Sequence, residues 1–239
     1  MYQSFAQFYA AFWSEDWARR IEPGLAMLLD RCQPAKAELR ILDVACGAGH
    51  NAMLLARKGH TVIGIDGSPA LLRLARRNSP DVTFKPWRFG QPLPKVGVCD
   101  AAVCLYDSIN HAPDEETVLN TFKAIAGAVR TGGVLVFDYN SATGFAKRWA
   151  FTFRVDRAWG WCESTFSYDA ARNRGVMRAR GAIRRRTFDE TYEEIPLHKP
   201  QVREWLSEAG FAMEVIPQKI MDVLPQEPGR VWVCARKVR

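Results

Sequence analysis

With 239 residues, 48% of them apolar and 25% charged, the chain has the composition of a globular protein with room for one large α/β domain and a modest insertion. No stretch approaches the roughly eighteen uninterrupted apolar residues of a membrane-spanning helix, and the opening MYQSFAQFYAAFWSEDW lacks the basic region of a secretory leader, so a cytoplasmic protein is expected. The net charge of +7 is concentrated in one place: from Ala146 to Glu190 there are eleven Lys and Arg against five Asp and Glu.

Taken in chain order, Phe5, Phe8, Tyr9, Phe12 and Trp13 recur at helical spacing and predict an amphipathic helix, with a second helix from Leu25 to about Asp30 after Pro23 and Gly24. Residues 1–36 read as an N-terminal helical segment. From Leu39 the pattern changes to short apolar runs separated by helix-like stretches. Strands are expected at Arg40 to Val44, Thr61 to Ile65, Val82 to Lys85, Ala101 to Leu105 and Val134 to Asp138. Helices are expected between them, near Asn51 to Lys58, Pro69 to Asn78 and Asp114 to Val129, the order of a doubly wound parallel sheet.

Residues 149–195 differ, because from Phe151 to Ile195 apolar and polar side chains alternate around a turn at Asn173 to Gly175. Met177, Ala179, Gly181 and Ile183 would face inward, and Arg178, Arg180, Arg184 and Arg186 outward, in an inserted antiparallel β lid. A helix from Lys199 to Ala209, stopped by Gly210, and strands at Phe211 to Ile216 and Val231 to Arg236 complete seven strands. The core would then comprise residues 37–148 and 196–239. The six cysteines show neither a CxxC pair nor zinc-like His spacing, so free thiols and no metal are expected.

The chemistry concentrates where the first strand runs through Asp43, Ala45, Gly47 and Gly49 into a helix. Glycines there permit a tight turn and close ligand approach, and the helix start offers unpaired N–H groups. Asp66, seventeen residues beyond Gly49, ends the second strand, where a carboxylate can accept from both hydroxyls of a ribose. The two features describe a nucleoside pocket. A glycine-rich turn of this kind also occurs in dinucleotide enzymes, but those favour a third glycine where Ala52 stands and open nearer the N-terminus.

The run DVACGAG from Asp43, VIGIDGSP from Val62, DAAVCLYDSIN from Asp100 and TGGVLVFD from Thr131, in that order, resembles the class I S-adenosylmethionine-dependent methyltransferases. The resemblance implies a Rossmann-like seven-stranded fold and S-adenosylmethionine as cofactor, with S-adenosylhomocysteine as product. Asp43, Ala45, Gly47 and Gly49 would meet the methionine part of the cofactor, Asp66 with Gly67 the ribose, and Leu105 and Tyr106 the sulfonium. The family often has an acid after the third strand for the adenine amino group. Here Trp87 and Arg88 stand in that region, and stacking on the ring would replace the missing acid. Tyr9 is a candidate for the methionine carboxylate and equally a member of the apolar stripe.

The reaction floor is expected at the carboxyl ends of the fourth and fifth strands, from Tyr106, Asp107, Asn110 and His111 on one side and Asp138, Tyr139 and Asn140 on the other. His111 is the candidate base, with Asp107 and Tyr106 beside it, because imidazole titrates near neutral pH; each could instead serve its loop. Transfer to nitrogen or oxygen of a small molecule is the leading reading. Trp149, Trp159, Trp161, Phe166, Tyr168 and Tyr192 would wall an aromatic acceptor, and the lid's positive surplus fits either a solvated face or an anionic acceptor. A nucleic-acid methyltransferase using the basic lid and a non-catalytic cofactor-binding protein are the alternatives. A monomer or homodimer with no nucleic-acid or membrane partner is expected.

Overall fold

The computed structural model describes residues 3–239. Seven strands form one sheet: β1 (Arg40–Val44), β2 (Thr61–Asp66), β3 (Thr83–Pro86), β4 (Cys99–Cys104), β5 (Val129–Asn140), β10 (Phe211–Glu214) and β11 (Arg230–Lys237), in the spatial order β10-β11-β5-β4-β1-β2-β3. The neighbours β3, β2, β1, β4 and β5 pair in parallel in that order, while β11 runs antiparallel to β5 and to β10. The central strands are apolar on both faces because both are covered by helices.

One face packs on α2 (Glu15–Leu29), α3 (His50–Arg57) and α4 (Pro69–Asn78) through Ile21, Leu25, Leu28, Leu55 and Leu72. The other packs on α5 (Glu115–Ala128) and α7 (Lys199–Glu208) through Val118, Phe122, Ile125, Val202 and Leu206. Local chemistry sets where these helices begin. Ser68 Oγ accepts from Leu71 N at 3.2 Å with Pro69 in the first turn, and Asp114 Oδ1 accepts from Thr117 N at 2.8 Å. The strand order reverses at β1, which lies between β2 and β4, so a crevice opens at the carboxyl ends of these strands.

A second, four-stranded antiparallel sheet of β6 (Ala150–Arg157), β7 (Gly160–Asp169), β8 (Arg174–Ile183) and β9 (Arg186–Glu194) follows α6 (Ala142–Arg148). Met177 and Ala179 face a cluster with Phe5, Phe8, Phe145 and Trp149, whereas Arg178 and Arg180 stand exposed and paired with Asp189 and Glu163. The alternation expected from the sequence is therefore present in this sheet.

The N-terminal segment differs from its sequence reading. The aromatic stripe does not form one regular helix: α1 (Ala6–Tyr9) leads into a π-helical turn, Ala10–Ser14, and then into α2. The extra residue of that turn resets the helical phase. Trp13 then meets Phe153 edge-on at 4.9 Å between ring centres, while Trp17 stacks on Tyr106 at 4.8 Å. Pro23 and Gly24, expected to precede a separate helix, lie inside α2. Packing overrides the proline there, because the buried stripe runs unbroken from Trp17 to Leu29, and Gly24 lets α8 (Gln218–Met221) and the residues after it approach. A Cβ on Gly24 would stand 2.5 Å from the Leu224 side chain.

Candidate active site

β1 ends in a loop whose backbone turns left-handed at Ala45, Gly47 and Gly49. Gly49 has no room for a side chain, since a Cβ would lie 2.9 Å from the Phe84 ring and 3.0 Å from Ala75. At Gly47 a Cβ would meet Tyr9, at 3.4 Å from its ring. The amide of Gly47 donates to Asp66 Oδ2 at 2.9 Å and that of Ser68 to Oδ1 at 2.7 Å, so the carboxylate at the end of β2 is fixed by backbone on both oxygens. Each oxygen keeps a lone pair for a further donor. Burial pushes the Asp66 pKa up, and the two amides pull against it. Beneath the loop, Asp43 is buried with Oδ2 unpartnered, and burial, reinforced by Asp66, pushes its pKa up to about 8.

The turn after β4 is strained: Tyr106 and Asp107 have φ values of 64° and 45°. Asp138 on β5 holds it, accepting from Tyr106 N at 2.7 Å and Asp107 N at 3.0 Å. Asp138 is fully buried and bound to Arg230, so it buttresses the floor from below and does not form the floor expected of it. The Arg230 guanidinium, 4% exposed, also binds Asp107 at 3.1 Å and Glu227 at 2.8 Å and lies 4.6 Å from the Trp17 ring centre. Asn110 has no access to solvent. Its Nδ2 donates to the carbonyls of Asn140 at 2.8 Å and Ile195 at 2.6 Å, and its Oδ1 accepts from Asn140 N at 2.9 Å. His111, the next residue, has its Nε2 3.5 Å from Glu194 Oε1, and burial lowers its pKa against the opposing pull of Asp107 and a Glu193 backbone bond.

A cavity of about 320 Å³ joins these parts. At one end it reaches Ala45, Gly47, Asp66 and Leu71; Tyr9, Trp17 and Tyr106 line its middle; His111, Glu194, Trp149 and Phe166 line the other end. Of the residues singled out from sequence, Tyr9, Ala45, Gly47, Asp66, Tyr106, Asp107 and His111 come together here. Asp43, Gly49, Gly67 and Leu105 lie behind the lining. Trp87 and Arg88 are not brought to it: Trp87 is buried in the apolar core with its Nε1 bonded to the Gln91 carbonyl, Arg88 is exposed, and Phe89 is the residue of this stretch that faces the cavity. Trp17, Glu194, Glu227 and Arg230 carried no motif in the sequence. Among the described residues no group of His, Cys, Asp and Glu is placed to hold a metal ion, and the six cysteines are buried and unpaired.

The Methyltransferase domain family matches residues 41–133, which span the glycine loop, Asp66 and the 106–111 turn. Over 99% of this chain and 97% of the relative, the sequence is 27% identical to YqeM of Bacillus subtilis (strain 168), whose name assigns it as a methyltransferase. These two matches support a class I S-adenosylmethionine-dependent methyltransferase. Other similarities are to proteins named as methyltransferases. Glycine N-methyltransferase of Oryctolagus cuniculus is 34% identical over 43% of this chain, a match spanning 41% of that enzyme. The fold matches the sugar N-methyltransferase KedS8 from a Streptoalloteichus species with a TM-score of 0.80 at 21% identity, covering 100% of this methyltransferase and 94% of the other. Among the described residues no helix of the enzyme is long and apolar enough to cross a membrane.

Proposed function

We propose that this methyltransferase moves a methyl group from S-adenosylmethionine to a small molecule held between the core and the four-stranded sheet, with residues 149–195 as a substrate-side lid. The observation that carries this reading is the single cavity that runs from Gly47 and Asp66, past Tyr106, to the lid aromatics Trp149 and Phe166. At its core end, the cavity fits the cofactor. Asp66, oriented by two backbone amides, would accept from the ribose hydroxyls; the open face of Gly47 leaves space beside Tyr9 for the amino-acid tail; the unpartnered Oδ2 of Asp43 gives the loop a buried acceptor. When bound, the cofactor supplies an electrophilic methyl on a sulfonium and leaves as a thioether.

At the lid end, the cavity has the size and aromatic lining of a small-molecule site. N-methyltransferases acting on small molecules are among the named relatives, which supports an acceptor of that size. A basic lid reading nucleic acid is less well supported along β7 to β9, because Arg178, Arg180 and Arg172 are already paired with Asp189, Glu163 and Glu193, which leaves the exposed run 184–186 as the unpaired arginine cluster of the sheet among the described residues. His111 is the candidate base. Burial keeps its imidazole neutral near neutral pH, and it lines the lid end of the cavity.

Calorimetric titration with S-adenosylhomocysteine tests the cofactor site. Asp66→Ala is expected to weaken binding by at least about a hundredfold, the loss of two charge-assisted hydrogen bonds, with an unchanged circular dichroism spectrum. Wild-type affinity in that variant would overturn the assignment.

A further inference from the structure

The lid end of the cavity is acidic in a way that the lid's surface charge conceals. Asp107, Glu194 and Glu227 line it together with Arg148 and Arg230, and Asp138 lies beneath; the whole lining sets five carboxylates, Asp16 and Asp66 included, against Arg148, Arg230 and Arg20, the last lying over the Trp17 ring. The Arg148 and Arg230 guanidiniums are already committed. Arg230 donates to Asp107, Asp138 and Glu227, and Arg148 donates to Glu227, to the side chain of Asn140 and to the Pro228 carbonyl. Glu194 is the carboxylate that neither arginine hydrogen-bonds. It is 6% exposed, lines the cavity, sits 3.5 Å from His111 Nε2 through Oε1, and its Oε2 makes no hydrogen bond.

Its position is fixed from two sides. β9 ends at Glu194, and the next residue is pinned in both directions by Asn110: Ile195 N donates to the Asn110 carbonyl at 2.8 Å, and Asn110 Nδ2 donates back to the Ile195 carbonyl at 2.6 Å. The same loop therefore presents His111 and holds Glu194 against it. A buried carboxylate oxygen without a donor carries a desolvation cost that an incoming cation offsets. Phe5, Trp13, Trp149, Phe151 and Phe166 line the surrounding wall, and aromatic faces attract a desolvated cation.

Resting on the small-molecule methyltransferase reading above, we propose that Glu194, paired with His111, is the binding site for the ammonium group of the acceptor, so that the substrate class is a primary or secondary amine on an apolar or aromatic skeleton. An anionic acceptor, one of the two explanations the lid's charge allowed, would face Glu194, Asp107 and Glu227 at this end. Burial and the neighbouring Asp107 push the Glu194 pKa up while Arg230, Arg148 and Asn140 pull it down, so an ammonium beside it restores an ionisation that the empty cavity disfavours.

The same pair handles the proton. One N–H bond of the bound ammonium breaks, its electron pair stays on nitrogen, and the proton passes to His111 Nε2, which burial keeps neutral beforehand. The freed lone pair would then be able to form the N–C bond with the methyl that a bound S-adenosylmethionine would supply, the C–S electron pair leaving with sulfur. Glu194 retains the opposite charge next to the imidazolium and the newly methylated ammonium.

The test compares matched probes by quenching of tryptophan fluorescence in enzyme saturated with S-adenosylhomocysteine: benzylamine against benzyl alcohol, and cyclohexylamine against cyclohexanol. In the wild type each amine is expected to bind at least about tenfold more tightly than its alcohol. Glu194→Gln should remove most of that difference, weakening the amines about tenfold and leaving the alcohols within about twofold, while the affinity for S-adenosylhomocysteine stays unchanged and reports an intact fold. Glu194→Asp, which keeps the charge on a shorter arm, should fall between them. Amines that bind no better than alcohols in the wild type, or an amine preference that survives in Glu194→Gln, would overturn the proposal. Should S-adenosylhomocysteine itself fail to bind, the cofactor reading falls instead, and the amine-to-alcohol ratio without it still decides the role of Glu194.

Discussion

Asp43 sits under the glycine loop with one oxygen unpartnered and a pKa pushed up to about 8 by burial and by Asp66, so its ionised form is held at a cost to the fold. The folded state binds this proton more tightly than the unfolded chain does. Its contribution to stability is therefore complete below the ordinary carboxylate range and is lost as pH rises towards about 8, at up to about 1.4 kcal/mol per pH unit. Asp43→Asn removes that dependence. Relative to the wild type, the variant is expected to gain stability steadily between about pH 4 and pH 8 in urea titrations, while its affinity for S-adenosylhomocysteine falls. A stability difference that stays flat with pH would show that Asp43 is not the titrating group. Gly47, Gly49 and Asp66 could be found from sequence because each is demanded by local backbone geometry: a left-handed turn, a close approach, a strand end. Glu194 and Arg230 could not, since nothing in their own neighbourhood marks them and only tertiary convergence gives them a partner. Trp87 misled for a related reason. β3 stops at Pro86, and the turn that follows, where Trp87 Nε1 donates to the Gln91 carbonyl, sends the Trp87 ring into the core and leaves Phe89 lining the cavity.

Strands and crossover helices of the core follow from hydrophobic runs, and the count of seven strands could be read from them. What the runs do not encode is how elements far apart in sequence are fastened. Asn110 joins the turn after β4 to the ends of β5 and β9 through three hydrogen bonds in a site closed to solvent. Asn110→Ala would leave two carbonyls and one amide there without that partner, which predicts a loss of about 3–5 kcal/mol in the free energy of unfolding, read from the shift in the urea midpoint. A loss under about 1 kcal/mol would mean that the loop re-satisfies these groups by moving. The helix containing Pro23 is a second case. Local propensity favours a break, but the continuous buried face from Trp17 to Leu29 and the contact of Gly24 with Leu224 outweigh it, and neither contact can be seen in the sequence around the proline.

At the scale of the molecule, the cavity is closed by three parts that come from distant stretches of chain: the sheet edge of the core, the four-stranded sheet, and α1 with the residues before it. Glu190 on β9 ties the last two together. Its carboxylate accepts from the backbone amides of Gln3, Ser4 and Phe5, at 3.1, 2.8 and 3.3 Å, and from the Tyr192 hydroxyl. Phe5, thus held, packs on Trp13 and Tyr192, and one turn later Tyr9 covers Gly47. Opening of this clasp would uncover the glycine loop, a local unfolding that draws Phe5 and Phe8 out of their buried cluster and that the Glu190 carboxylate helps to hold shut. Removing the carboxylate while leaving the cavity lining intact should make that opening easier without altering the site itself. Glu190→Ala is therefore expected to raise the dissociation rate of S-adenosylhomocysteine in stopped-flow fluorescence by about tenfold, the worth of two or three partly solvated hydrogen bonds, with a much smaller change in the association rate. A dissociation rate equal to that of the wild type would place the exit path elsewhere, on a side of the cavity that the N-terminal segment does not guard.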